Sequence, residues 1–259
     1  MNKKIKVGII GGSGLDQPSF LKNLKRQEVD TPFGKPASDL ASGLLGDVEV
    51  VIIARHGRDH TLLPSSVPYQ ANIWALKLAG CSHILATTAC GSLQENYQPG
   101  DFVFIDQFID FTKHRNLTFY HDRVVHTSMA DPFCPQLRSL LTLTAKELNI
   151  KYHDRGTIVT IEGPRFSTRA ESKMFKNLGA DIINMSTVPE VILAREIGIC
   201  YQNIAMVTDY DCWRDHEQPV TWEIVLEQMN KNVDKISQLL LRVITKIDFP
   251  HCVCKKTEL

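Results

Sequence analysis

Repeatedly along this chain, a short apolar run stops at glycines, hydroxyls or charged residues, and helical spacing follows most of these stops. Val48–Ala54 reads Val-Glu-Val-Val-Ile-Ile-Ala and empties into Arg55-His56-Gly57-Arg58. Lys4–Ile10 runs into Gly11-Gly12-Ser13-Gly14, and the run from Ile204 ends in Thr208-Asp209-Tyr210-Asp211. Runs this short and apolar are expected to be buried strands. Strands alternating with helices make an α/β fold with a mostly parallel or mixed sheet. In such sheets, ligands sit in the crevice beyond the carboxyl ends of the strands. The pattern thus points to both a fold class and a place for a site.

The remaining elements follow the same logic. Tyr69–Ala79 has helical character and stops at Gly80, and Ile84–Thr87 is a strand opening into Thr88-Ala89-Cys90-Gly91-Ser92. Phe102–Phe108 reads as a further strand, and residues 110–129 as a long loop. Pro135–Leu148 is a helix by its leucine spacing; Gly156–Ile161 and Ile182–Met185 are strands. Thr168-Arg169-Ala170-Glu171 is a capping box opening a helix that ends near Gly179. Thr187-Val188-Pro189-Glu190 has the same spacing, for a helix running to Gly198. From Thr221 to Ile247 an apolar stripe through 222, 225, 226 and 229 marks a long closing helix. No linker divides the 259 residues, so a single domain is expected, with a short polar tail from about residue 248.

The 29 basic residues balance the 29 acidic ones, which removes the electrostatic case for a nucleic-acid or membrane partner. No apolar run reaches membrane-spanning length, and the N-terminal stretch lacks the apolar core of a signal peptide. Seven cysteines without regular spacing suit a reducing compartment, and a cytoplasmic or nucleocytoplasmic protein is expected. Cys252-Val253-Cys254 is not a Cys-x-x-Cys and has no second pair nearby in sequence, so it reads as plain tail, and no metal is expected.

Two clusters of candidate residues emerge at the strand ends. Ser13, Arg55, His56 and Thr88, with Ala89 and Ser186 near backbone turns, offer hydroxyls, N–H groups and a guanidinium fork to an oxyanion, a basic surface turn being the alternative at Arg55-His56. Gly11 to Gly14 fit neither a P-loop nor a dinucleotide fingerprint, so a purely structural strand–helix turn stays open there. Phe166 can lie on a flat ligand or plug the core, and Asp209 with Asp211 form either an acid pair or an acidic turn. An oxyanion site beside paired carboxylates suits group transfer to inorganic phosphate.

Longer motifs carry a resemblance. Gly8 to Leu15, Thr31-Pro32-Phe33-Gly34-Lys35-Pro36, Arg55 to Arg58 and Tyr69 to Leu76 resemble the methylthioadenosine phosphorylases. So do Thr87 to Leu93, Ile161-Glu162-Gly163-Pro164-Arg165-Phe166-Ser167, Asn184 to Glu190 and Thr208 to Trp213, and the match runs from about residue 5 to 247. That family belongs to the trimeric nucleoside phosphorylases, which implies one domain with a mixed central sheet flanked by helices. It implies phosphorolysis of S-methyl-5′-thioadenosine to adenine and 5-methylthioribose 1-phosphate, with inorganic phosphate as co-substrate, no cofactor, and a homotrimer.

The resemblance further implies that Ser13, Arg55, His56, Thr88, Ala89 and Ser186 hold phosphate. Met185 would lie against the ribose and Phe166 against the base, while Asp209 faces N7 and Asp211 the 6-amino group. Asp209 would carry the proton, with burial and Asp211 both raising its pKa. His126 would reach across from a neighbouring subunit. Phosphorylases specific for 6-oxopurines have Asn where this chain has Asp209 and Glu where it has Ser167, so the adenine reading is favoured. A 6-oxopurine phosphorylase and a catalytically silent nucleoside-binding relative remain the alternatives. Trp222 stands where the family usually has a small aliphatic residue, with Val225 one turn on, and both bear on 5′ specificity.

Overall fold

The computed structural model describes residues 5–11, 20–215, 218–249, 252 and 254. In chain order the strands are β1 (Lys6–Gly11), β2 (Lys22–Gln27), β3 (Leu40–Leu45), β4 (Val48–Ala54), β5 (His83–Ser92), β6 (Phe102–Phe104), β7 (Gln107–Phe111), β8 (Tyr152–His153), β9 (Thr157–Ile161), β10 (Ile182–Asn184) and β11 (Cys200–Asp209). The helices are α1 (Tyr69–Leu78), α2 (Pro135–Glu147), α3 (Arg169–Asn177), α4 (Thr187–Glu196) and α5 (Trp222–Ile244).

All the strands join one mixed sheet, with a main path β2-β3-β4-β1-β5-β10-β9-β7. A branch leaves β5 through β11 to β6 and β8. The central strands alternate side chains between two cores, as a strand buried on both faces must. Val7, Ile9, Val50 and Ile52 pack on the side of α2 and α5, against Leu137, Leu141, Leu239 and Leu240. Ile10, Val51 and Ile53 face α1 and α4, where Ile73, Leu76, Val191 and Ala194 cover them.

The long strand β5 makes the opening. Its first half, His83 to Ala86, pairs in parallel with β1, and its last two residues pair antiparallel with β10. Between these partners, among the described residues, no strand lies on that side of residues 87–90. The other side of β5 stays paired with β11 from His83 to Gly91. The sheet therefore parts where the small residues Thr87-Thr88-Ala89-Cys90 run, leaving a crevice floored by backbone.

Several elements differ from their sequence expectations for identifiable reasons. β2 (Lys-Asn-Leu-Lys-Arg-Gln) is exposed along its length and pairs only with β3, so it carries no apolar face to read. β5 continues past Thr87 to Ser92, so its small residues belong to the strand rather than to a turn beyond it. The run from Phe102 to Phe108 breaks at Ile105-Asp106, where β6 leaves for β11 and β7 for β9. The capping box at Thr168 forms as expected, with both reciprocal bonds to Glu171. The second one does not: α4 starts from Ser186 without a side-chain cap, and Glu190 turns inward. Among the described residues no helix is long and apolar enough to cross a membrane.

Candidate functional site

The crevice at the parting of the sheet is a cavity of about 200 Å³. It gathers most of the residues singled out from the sequence: Arg55, His56, Thr88, Ala89, Phe166, Ser167, Met185, Ser186, Asp209, Asp211, Trp222 and Val225 all line it. Ser13 lies outside the described residues. His126 is exposed on the segment after β7 and does not line the cavity of its own chain.

One end of the cavity is built for an anion. Arg55 leaves the end of β4 and is buried, with its Nη1 donating to the Thr87 carbonyl at 2.8 Å. That carbonyl lies in the part of β5 without a strand partner on this side, and Arg55 satisfies it. Its Nε and Nη2 form a fork on Glu190, at 2.5 and 3.0 Å. Burial opposes the Arg55 charge, but Glu190 beside it more than offsets this and raises its pKa. Two of the five guanidinium N–H groups remain for a ligand.

Beside it, the Thr88 and Ser186 hydroxyls lie 2.9 Å apart. Asn184 Nδ2 sets the cluster, donating to Thr88 Oγ1 at 3.0 Å and to Thr187 Oγ1 at 2.8 Å. Thr160 Oγ1 in turn donates to Asn184 Oδ1 at 2.9 Å, which fixes the orientation of the amide. His56 Nδ1 is 2.9 Å from the Leu62 carbonyl and so carries the hydrogen, leaving Nε2 as the free ring nitrogen. Burial, and then Arg55, push the His56 pKa down to about 4. The ring is therefore neutral at pH 7, and the positive charge here belongs to Arg55.

The opposite end holds the acid pair. Opposite β5, strand β11 has a register shift between Val207 and Asp209: Val207 pairs with Cys90 and Asp209 with the next residue, Gly91. Thr208 is the extra residue of this bulge, which re-aims the strand end as bulges beside sites commonly do. Asp209 Oδ2 accepts from Thr208 Oγ1 at 2.6 Å, and Oδ1 from the Asp211 backbone N–H at 2.8 Å. Asp211 adopts a left-handed backbone, φ 48°, and is buried, with the Ser172 and Ser167 hydroxyls beside its carboxyl. Burial pushes the Asp211 carboxyl above its usual range, with the nearby Ser172 and Ser167 hydroxyls opposing it. The Asp211 carboxyl is thus pushed toward its neutral form.

Between the two ends runs an apolar wall. Trp222, Val225, Leu226 and Met229 come from successive turns of α5, and the Trp222 ring lies 5.4 Å from that of His60. Phe166, 39% exposed between β9 and α3, stands free enough to cover a planar ligand.

An arginine–hydroxyl end and an acid pair share this cavity, and the pattern of the phosphorylase superfamily matches residues 6–245. The chain is 55% identical over 252 residues to the S-methyl-5′-thioadenosine phosphorylase of Danio rerio, covering 95% of this chain and 90% of that one. The chain belongs to this family of phosphorylases. It is also 51% identical to the S-methyl-5′-thioadenosine phosphorylase of Thermofilum pendens, covering 98% of this chain and 97% of that one. The methylthioadenosine phosphorylase of Schistosoma mansoni, solved with adenine, superposes with a TM-score of 0.91 at 47% identity, over 94% of this chain and 92% of that one. A mutant of that enzyme solved with methylthioadenosine superposes at 0.90.

Sequence reasoning missed several residues that the phosphorylase fold brings to the site. Glu190 looks like half of a capping box, but it lies 135 residues from the arginine it neutralises, and no local signal links the two. Tyr201 OH donates to Glu190 Oε2 at 2.8 Å, and Asn203 Nδ2 to Thr187 Oγ1 at 3.2 Å, both from the part of β11 that precedes the apolar run expected from Ile204. Leu226 and Met229 were legible as part of the stripe on α5, though the stripe alone does not separate a cavity wall from core.

Proposed function

We propose that this chain cleaves S-methyl-5′-thioadenosine with inorganic phosphate, releasing adenine and 5-methylthioribose 1-phosphate. The observation that carries the reading is the pairing of two unlike ends in one cavity. The arginine–hydroxyl end suits an oxyanion nucleophile, and the Asp209–Asp211 end suits a purine edge. The high identity to S-methyl-5′-thioadenosine phosphorylases over nearly the whole chain supports the same substrate.

In this reaction the C1′–N9 bond breaks with oxocarbenium character, and a phosphate oxygen bonds to C1′ from the opposite face. Arg55, Thr88 and Ser186 orient the phosphate, and its negative charge stabilises the developing cation. The electron pair of the broken bond passes to the purine, which leaves as neutral adenine when N7 receives a proton. The acid pair supplies that proton as a unit. Burial favours the neutral form of Asp211 at rest. The 6-amino group of a bound adenine donates to Asp211 and so favours its ionised form, which leaves the shared proton to Asp209 at N7. Ser167 offers only a hydroxyl where a 6-oxopurine enzyme presents a carboxylate.

The working assembly is a homotrimer in which His126, away from the cavity of its own chain, completes the site of a neighbouring subunit. Incubation with methylthioadenosine, with and without phosphate, tests the reading. Phosphate-dependent adenine release is expected, faster than release from adenosine, with inosine left intact. Release without phosphate would make the protein a nucleosidase, and binding without release a silent relative; either outcome overturns the proposal.

Two variants probe the two ends of the nucleoside. A Cβ added at Gly91 would lie 2.9 Å from Asp209 Oδ1 and 3.1 Å from the Asp211 Cβ, so the acid pair must shift. Gly91→Ala is therefore expected to lower kcat/KM about 10²-fold, as small misplacements of catalytic groups do. An unaltered kcat/KM would mean that the pair has slack. Trp222→Ala removes the α5 side chain packed on His60, and with it an apolar surface for the 5′-methylthio group. The preference for methylthioadenosine over adenosine is expected to narrow about tenfold. An unchanged ratio would remove Trp222 from the specificity wall.

A further inference from the structure

The tail that reads as plain in sequence is not plain in the structure. Cys252 and Cys254 are buried, 6% and 2% exposed, against Cys134 and Cys200, both fully buried. The four Sγ atoms all lie within 4.8 Å of one another. Cys252 Sγ is 3.3 Å from Cys134 Sγ and 3.2 Å from Cys254 Sγ. A tetrahedron of thiolates about 2.3 Å from a central Zn²⁺ has edges of about 3.8 Å. The cluster therefore closes around an ion with only small side-chain shifts.

We propose that Cys134, Cys200, Cys252 and Cys254 form a structural tetrathiolate zinc site that fastens the C-terminal tail to the body of the domain.

Independent features of the surroundings fit that ligand set. Cys134 is the N-cap residue of α2, and its Sγ accepts the Leu137 backbone N–H at 3.4 Å. A helix N-terminus and an N–H donor both stabilise thiolate charge. The backbones of two ligands are held as well: Cys134 N–H donates to the Tyr201 carbonyl at 2.9 Å, and Cys200 N–H to the Ser82 carbonyl at 3.2 Å. Four thiolates packed together repel strongly, and a divalent cation reverses that penalty. The surroundings are apolar, with Leu137, Leu141, Leu239 and Leu240 in the same core, so the ion would be shielded from water. With four protein ligands there is no open position for substrate, which marks a structural rather than a catalytic site. Its location agrees, because Cys200 begins β11 and Asp209 ends it. At about 3.3 Å per residue the two lie roughly 30 Å apart. The one-residue spacing of Cys252 and Cys254 conceals the site in sequence, since the other ligands come from the start of α2 and the start of β11.

The test is metal analysis of the whole protein purified under reducing, air-free conditions, together with its intact mass. One zinc per chain, retained through gel filtration and replaceable by Co²⁺ with a thiolate charge-transfer absorption, is expected. Cys252→Ser with Cys254→Ser should remove the zinc and lower Tm, with kcat for methylthioadenosine little changed; Cys81→Ser, outside the cluster, should keep it. Should the double variant fail to fold, chelator treatment of the native protein gives the same reading: Tm should fall and recover on adding zinc. Less than a tenth of an equivalent of zinc with no uptake on addition overturns the proposal. So does iron in its place, or a chain lighter by the hydrogens of disulfides among these cysteines.

Discussion

Replacing Asp209 with Asn is expected to lower the turnover of methylthioadenosine by about 10²–10⁴-fold, the usual span for loss of a general acid. The substitution is nearly isosteric, so the bulge at Thr208 should survive it. The Asn carbonyl can keep the Asp211 N–H that Oδ1 now accepts, and its amide can face Thr208 Oγ1, which can rotate to accept because it is a hydroxyl. What disappears is the ionisable proton. An amide N–H can donate to N7 but cannot transfer its hydrogen, so negative charge must build up on the departing purine. The loss should therefore fall on kcat, with KM changed much less. Some cleavage of 6-oxopurine nucleosides is expected to appear, since an Asn can serve a 6-keto purine. Kinetics identical to the parent protein, in a variant with the same melting profile, would sink the role given to Asp209.

Much of this site was legible because its residues lie at strand ends, where an apolar run changes abruptly to charge or glycine. Arg55-His56 after β4 and Asp209-Tyr210-Asp211 at the end of β11 stand out in that way, though a charged surface turn would leave the same mark in sequence. Thr88 and Ala89 line the cavity, but from a place the sequence does not lead one to expect. They lie inside β5, and what frees them is the departure of β1 and the late arrival of β10, a matter of register that one strand's sequence does not contain. The exposed edge strand β2 was invisible because none of its side chains is buried. Asn184, Tyr201 and Asn203 act on other polar groups in the interior, and their meaning exists only once β10 and β11 sit beside β5. The cysteine cluster is the extreme case, since its members come from three separated stretches.

Glu190 gives the second large effect, and one that separates stability from function. The Arg55–Glu190 pair is almost entirely out of solvent, with the arginine side chain 4% exposed and the glutamate 0%. Removing one charge from such a pair leaves the other buried and uncompensated, which costs about 3–5 kcal/mol. Glu190→Gln is expected to destabilise the fold by that amount, read as a lower denaturant midpoint at unchanged m-value. It should also raise KM for phosphate, because the fork that aims Arg55 loses its bidentate partner. Met at both positions removes both charges and refills the volume, so most of the stability should return. Activity should not return, since the anion end then lacks its cation. A Glu190→Gln protein that unfolds at the same denaturant concentration as the parent would show the pair to be better solvated than its burial implies. Recovery of phosphorolysis in the double variant would remove Arg55 from the phosphate site. The two readouts are independent because glutamate compensates charge at rest, while the proposed reaction calls on the arginine to hold phosphate. A buried ion pair at the end of β4 thus serves as a holder for a cation whose remaining N–H groups face the cavity.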